Sequence, residues 1–229
     1  MRGIPYRLLI ALLSLFLFTS MAFSAPTLLR CSETPVAFSF DRPENLRCLC
    51  SATENAINFL RTIGLQTSDC ITIKLVRHIA SAHYHSLFGA YDPANQRVLI
   101  LAYAEAVRRS EGTQKVMGIE LTEDLWCSFA AHELAHAISD PFLNPRGTTH
   151  TAAEYIAFIT QLHVLTPETR GKVLAAHKDV HAYNSVEEMS ETYYLLDPNR
   201  FAVKSYLHFI SLQEPAEFIQ LLLLQDNGH

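Results

Sequence analysis

The 229-residue sequence contains only 8 glycines, about half the usual share of roughly 7%, and it has no run of basic residues. Together with the periodic apolar segments described below, the scarcity of glycine favours a helix-rich chain. No low-complexity stretch stands out, and no linker indicates a second domain. Acidic residues outnumber basic ones by 23 to 18, which gives a formal net charge of −5. This balance, without any basic–aromatic stripe, argues against nucleic acid as a partner.

The sequence also lacks an apolar run long enough to span a membrane. The stretch LLIALLSLFLF at Leu8–Phe18 is shorter than the roughly 18 apolar residues that a spanning helix needs. It follows Arg2 and Arg7 and precedes the small-residue pattern AFS, an arrangement typical of a secretory signal. We therefore predict a signal peptide at 1–24 and one exported domain at 25–229, periplasmic or secreted, with no stable membrane insertion after cleavage.

Five cysteines follow this predicted signal. Four of them, Cys31, Cys48, Cys50 and Cys70, cluster near the N-terminus, and export to an oxidising compartment favours disulfides over reduced thiols or a metal site built on CLC. Cys48 and Cys50 are too close in sequence to pair with each other, so we expect Cys31 to bond to one of them and Cys70 to the other. Cys127 lies in an apolar segment and is interpreted as a small buried hydrophobe.

The spacing of apolar residues predicts an α+β protein that is rich in helix. A helix between Ser51 and Gly64, a strand at Ile71–Leu75 and a hairpin at 89–101 predict a small, mostly antiparallel N-terminal sheet. The remainder reads as helices with short connections. Their predicted limits are Thr122 to Pro141, 151–165, 185–198 and 218–225. The oligomeric state stays open.

Two imidazoles and one carboxylate lie within five residues of an otherwise apolar segment, in HELAH at 132–136. On a helix, His132 and His136 are about 40° apart around the axis, so both can bind one zinc ion. Glu133 lies about 100° from His132, too far round to be a ligand but near a water that the metal would hold. The pattern predicts a zinc site in which Glu133 is the general base. The opposite helix face is apolar and is expected to pack into the core: Ala130, Ala131, Leu134 and Ile138.

HELAH on such a helix, preceded by a small sheet and followed by a helix with a glutamate, resembles the zincin metallopeptidases. Within them it resembles the gluzincins, whose third ligand is a glutamate. The metzincin extension would need glycine and histidine where Ser139 and Phe142 stand. The resemblance covers residues 132 to about 165, more loosely from 97. It implies a zincin-like domain that hydrolyses peptide bonds in a peptide or protein substrate, and we expect a family of uncharacterised exported bacterial proteins to share it.

The resemblance offers two main candidates for the third zinc ligand. Glu154 lies 18 residues after His136 on the next predicted helix, which is close to the spacing in thermolysin-like enzymes, and we favour it. Glu187 is the alternative, because with Glu191 it matches the Glu-x-x-x-Glu helix that some compact gluzincins use. His150 is a weaker candidate, more typical of a solvated first turn.

Support around the zinc is less clear from the sequence. Thermolysin-like enzymes carry an acid four residues after the glutamate ligand, but Phe158 stands there, so the partner of a histidine ligand must come from elsewhere. The oxyanion needs a donor besides zinc, and Tyr206 and His208 are the residue types that gluzincins use. The strand at Arg97–Leu101 is expected to form the edge that pairs with an extended peptide.

The resemblance therefore implies an exported zinc metallopeptidase in which Glu133 takes a proton from a zinc-held water and passes it to the leaving amine. The alternatives are a non-catalytic zinc-binding or scaffold protein with a gluzincin fold, and a cell-wall amidase. The presence of Glu133 favours catalysis, because neither zinc binding nor folding requires it. The spacing of His78, His83 and His85 fits no single helix face, and we interpret them as a solvated loop.

Overall fold

The computed structural model describes residues 27–31, 34–40, 45–79, 88–111, 115–143 and 150–224. The predicted signal peptide at 1–24 lies outside these residues, as do His83 and His85. None of the helices within the described ranges has the length and apolar character needed to cross a membrane.

Five strands form one sheet in the N-terminal part of the described chain, in the order β1-β2-β3-β5-β4. The outer pairs β1–β2 and β4–β5 are antiparallel, whereas β3 runs parallel to both β2 and β5. The sheet is therefore mixed, and the prediction of a mostly antiparallel sheet was wrong. Helix α1, Leu46–Thr62, returns the chain between β2 and β3, which permits parallel pairing. Local sequence patterns indicate only the hairpin. The strands are β1 Thr27–Arg30, β2 Val36–Phe40, β3 Ile71–Val76, β4 Gly89–Asp92 and β5 Arg97–Leu101.

Strand β4, not β5, is an outer strand of the described sheet, with β1 at the opposite edge. Ile100 of β5 pairs with Leu75 of β3 on one side and with Gly89 of β4 on the other. The expectation that Arg97–Leu101 is the edge strand was therefore wrong, because the hairpin folds its first strand to the outside.

The helical part of the chain begins within the sheet region and dominates after residue 121. Helix α3 begins after Thr122, whose side chain accepts a hydrogen bond from the Leu125 backbone N–H, and it ends at Ser139, as predicted. The described helices are α1 Leu46–Thr62, α2 Tyr103–Glu111, α3 Glu123–Ser139, α4 His150–Val164, α5 Pro167–Ala176, α6 Glu191–Leu196, α7 Pro198–Ser211 and α8 Pro215–Leu224.

Two predicted helices differ most from the structure, and α8 begins at Pro215 rather than at 218. Helix α1 begins five residues before Ser51, with Asn45 accepting a hydrogen bond from the Cys48 backbone N–H. The predicted helix at 185–198 is divided into a 3-10 turn at Val186–Glu188 and the short helix α6. Ser190 caps α6, so the second serine of this segment starts the helix rather than the first.

Helix α3 is the centre of the fold. It contacts strands β4 and β5 of the sheet as well as helices α1 and α4. The Trp126 indole N–H donates to the Leu101 backbone carbonyl at 2.8 Å, which fixes α3 to the sheet. The sequence predicted burial of one apolar face only, but His132 and Glu133 are also buried, with exposed fractions of 4% and 2%. The polar residues of this helix therefore lie inside the protein.

Two disulfides fix α1 to its neighbours, Cys31–Cys50 and Cys48–Cys127. The prediction that Cys70 is bonded was wrong, because Cys70 is an exposed free thiol, and the interpretation of Cys127 as a simple hydrophobe was also wrong. Residues two apart on a helix point about 200° apart, so one cysteine of CLC faces the strands and the other faces α3. Two disulfides are typical of proteins from an oxidising compartment.

Candidate metal centre

Helices α3 and α4 lie side by side and bring two imidazoles and one carboxylate together. The Nε2 atoms of His132 and His136, one turn apart on α3, are 3.2 Å from each other. Glu154 of α4 reaches both, with Oε2 3.6 Å from His132 Nε2 and Oε1 3.5 Å from His136 Nε2. This cluster of three ligand-type side chains could hold a metal ion.

Glu154 rather than Glu187 approaches the two histidines. Glu187 lies in an exposed 3-10 turn, where a hydrogen bond from Ser185 lowers the pKa of its carboxyl. His150, one turn before Glu154 on α4, places its Nε2 atom 3.6 Å from Glu154 Oε1, at the more exposed side of the cluster. The sequence-level preference for Glu154 thus agrees with the geometry, and His150 is a neighbour of the cluster.

Burial shifts the proton affinities of all three side chains towards their uncharged forms. It lowers the pKa of His132 well below its ordinary value, with a further contribution from His136. It lowers the pKa of His136 to about 4, with a smaller effect of His150. It raises the pKa of Glu154 to about 8, against an opposing hydrogen bond from Tyr194. Near neutral pH and without an ion, the cluster therefore consists of two neutral imidazoles and a protonated carboxyl.

The Glu154 carboxyl is only partly satisfied by protein groups. Its Oε2 atom is buried and makes no hydrogen bond within the described part of the chain. Tyr194 of α6 hydrogen-bonds to the Glu154 side chain, and the tyrosine's own pKa is raised by burial and then by this carboxylate. Because an unpaired buried oxygen is costly, a shared cation would stabilise this arrangement.

A cavity of about 400 Å³ opens beside the cluster. Glu133 lines it from α3 and faces strand β4, where a Cβ atom on Gly89 would lie 2.5 Å from Glu133 Cγ and 2.7 Å from its Oε1. Gly89 is therefore needed for this close approach. The other lining residues are largely apolar or aromatic: Phe88, Ala90, Tyr91, Pro93, Lys115, Val116, Met117, Phe129, Asp140, Leu143, His150, Ala153, Phe158, Tyr194, Pro198 and Asn199, with the three cluster residues.

Tyr206 and His208 are not among the residues that line this cavity. His208 Nδ1 lies 2.8 Å from the Tyr155 hydroxyl, and Tyr206 is buried with the Arg170 guanidinium 5.8 Å from its ring centroid. Their positions give no support to the oxyanion role expected of them. Sequence reasoning missed Tyr194, because a lone tyrosine in SETYYLL carries no spacing signal.

The fold and the site together define an α+β protein with a candidate metal centre of two histidines and one glutamate. The chain belongs to DUF6639, a family of unknown function whose sequence model matches residues 36–226. That range runs from β2 to α8 and includes the whole cluster. Comparisons with curated proteins and with solved structures find no match.

Proposed function

We propose that this protein is an exported, zinc-dependent metallopeptidase. The observation that carries the proposal is the position of Glu133. This buried carboxylate is not one of the three candidate ligands, but it lines the same cavity as they do. A purely structural zinc site needs four closed ligands and no adjacent base. The two disulfides and the signal-like N-terminus support export.

Zinc fits the donor set. Ligands at about 2.0–2.1 Å in a tetrahedron are about 3.3 Å from one another. The two histidine Nε2 atoms are 3.2 Å apart, and each lies 3.5–3.6 Å from one of the two Glu154 oxygens. Two imidazoles and one carboxylate leave the fourth position open, as catalytic zinc requires. Zinc supplies a Lewis acid that polarises a carbonyl and acidifies water.

The chain's own residues then perform the proton transfers. Glu133 takes a proton from the attacking water and returns it to the leaving amine. Gly89 leaves room for this carboxylate beside β4, an outer strand of the described sheet with which an extended peptide can pair. Tyr194 orients Glu154 through their hydrogen bond, and His150 at the exposed side of the cluster donates to the oxyanion.

The test compares wild type with Glu133→Gln in zinc content and in hydrolysis of an unfolded protein. We expect equal zinc and a loss of at least about 10²-fold in rate, the usual effect of removing a general base. Glu187→Gln, an exposed carboxylate outside the cluster, is the matched control and should match wild type in both measurements.

The remaining outcomes separate the alternatives. A wild type that binds zinc but cleaves neither proteins nor peptidoglycan supports a non-catalytic binding role. Cleavage of peptidoglycan alone supports an amidase. A wild type that binds no zinc after supplementation overturns the proposal.

A further inference from the structure

The second ring nitrogen of His132 is a buried polar atom that the cluster does not use. Nε2 faces His136 and Glu154, so Nδ1 lies on the far side of the ring, where it is fully buried. A histidine that binds a metal through one nitrogen needs an acceptor for the N–H of the other, which fixes the tautomer and the ring orientation. No carboxylate of the described residues hydrogen-bonds to Nδ1. Phe158 stands one turn after Glu154, and its ring centroid lies 4.7 Å from that of the imidazole.

Gln161 lies on the same face of α4 as Glu154. Seven residues are about 20° short of two full turns, so both side chains face α3, with Gln161 two turns further along. Gln161 has an exposed fraction of 0%, and its Nε2 atom donates to Ser128 Oγ at 3.2 Å. Ser128 is one turn before His132 on α3, which brings the amide to the side of the imidazole that carries Nδ1.

The orientation of this amide follows from the hydrogen bonds of Ser128. The serine hydroxyl has one proton, which it donates to the Leu125 backbone carbonyl at 2.6 Å. Ser128 Oγ must therefore accept from the Gln161 NH₂ group, and Gln161 Oε1 is turned away from the serine. Oε1 is buried, as His132 Nδ1 is, and neither atom has a hydrogen-bond partner in the described ranges.

The Gln161 side chain lies within hydrogen-bonding reach of the His132 imidazole. Since the Gln161 NH₂ group is directed at Ser128, the atom available to the imidazole N–H is Oε1.

We propose that Gln161 is the positioning residue of the metal centre: its Oε1 accepts the Nδ1–H of His132 and so directs the Nε2 lone pair at the metal. This inference rests on the proposed zinc function. Gln161 replaces the acid that Phe158 displaces, with a neutral carbonyl in place of a carboxylate. The hydrogen-bonded series Leu125, Ser128, Gln161 and His132 then links the backbone of α3 to the metal ligand.

The test measures zinc dissociation constants by competition with a chelator for wild type, Gln161→Leu and Gln161→Glu. Leucine preserves the volume but removes the acceptor, so we expect zinc binding about 10–100-fold weaker than wild type. Glutamate keeps the acceptor, so we expect binding at least as tight as wild type. Thermal unfolding of the metal-free proteins is measured in parallel, and there the leucine variant should be the more stable of the two, because glutamate buries an ionisable group.

If Gln161 only fills space, the zinc affinities of the leucine and glutamate variants should rank in the opposite order. If leucine binds zinc like wild type and glutamate binds it more weakly, the proposal is overturned. If the leucine variant does not fold, Gln161→Met provides the same removal of the acceptor in an unbranched side chain. Failure of wild type to bind zinc would instead refute the proposed function, so the two failures are distinguishable.

Discussion

Metal uptake near pH 6 should release about one proton, and that proton should come from Glu154. Burial raises the pKa of Glu154 to about 8 and lowers that of His136 to about 4. From these values Glu154 is about 99% protonated and His136 only about 1% protonated at pH 6, and at pH 9 the protonated share of Glu154 falls to about a tenth. An exposed glutamate with an ordinary pKa near 4.3 would be ionised already and would release almost nothing.

The sign of the pH dependence follows from the same shifts. Below pH 8 a metal must displace the Glu154 proton, so the apparent association constant rises about tenfold per pH unit and levels off above pH 8. The raised pKa also means that the metal-free fold loses stability as pH rises from the ordinary glutamate range through 8. The lowered pKa of His136 acts in the other direction, because that stability is lost as pH falls from about 6.5 through 4.

Isothermal titration calorimetry in two buffers of different ionisation enthalpy counts the released protons. Wild type and Glu154→Gln are compared at pH 6 and pH 9, so that protons from other sources cancel in the difference. We expect a difference of about one proton at pH 6 and about 0.1 at pH 9, with Glu187→Gln equal to wild type. A difference near zero at pH 6, or a wild-type affinity that levels off near pH 6.5, would refute the assignment of Glu154 as a buried ligand.

Three further predictions concern other parts of the site and fold. Gly89→Ala should displace the Glu133 carboxylate, so that zinc binding persists while hydrolysis falls; unchanged hydrolysis would contradict this contact. Tyr194→Phe should weaken zinc binding roughly tenfold in a chelator competition, and Tyr206→Phe, outside the cavity, should not; equal effects would argue against positioning by Tyr194. Cys127→Ala should lower the free energy of unfolding in a denaturant titration by about 2–4 kcal/mol, and an unchanged midpoint would exclude a stabilising disulfide.

The features that could be predicted from the sequence are those that depend on local spacing. Thr122 could be predicted as the cap of α3 because threonine is a favoured residue at that position. His132 and His136 could be predicted to lie together because residues four apart share one face of a helix. Glu154 could be favoured because it lies on the helix that follows. The proximity of these three side chains therefore agrees with the sequence prediction. The spacing of residues in α4 did not by itself show which face of that helix packs against α3.

The features that could not be predicted depend on contacts between distant segments. The Cys48–Cys127 bond joins residues 79 apart in sequence, and only the packing of α1 on α3 brings them together. The parallel pairings of β3 have no local signature, and Tyr194 comes to Glu154 from a short helix about forty residues away. Nothing in the spacing of Gln161 indicates a partner for His132.

The burial of α3 on both sides connects the fold to the proposed chemistry. An amphipathic helix would leave its histidines in solvent, where their pKa values would stay near normal and a metal would compete with water. Here α4 covers them, and the small side chain of Ala157, which is fully buried, is consistent with a close approach of the two helices. The same packing that brings Glu154 within 3.6 Å of His132 also shields the three side chains of the cluster from solvent. If the cluster binds zinc as proposed, the interface between α3 and α4 contributes both to the stability of the fold and to the affinity of the site, so a larger residue at position 157 should weaken both.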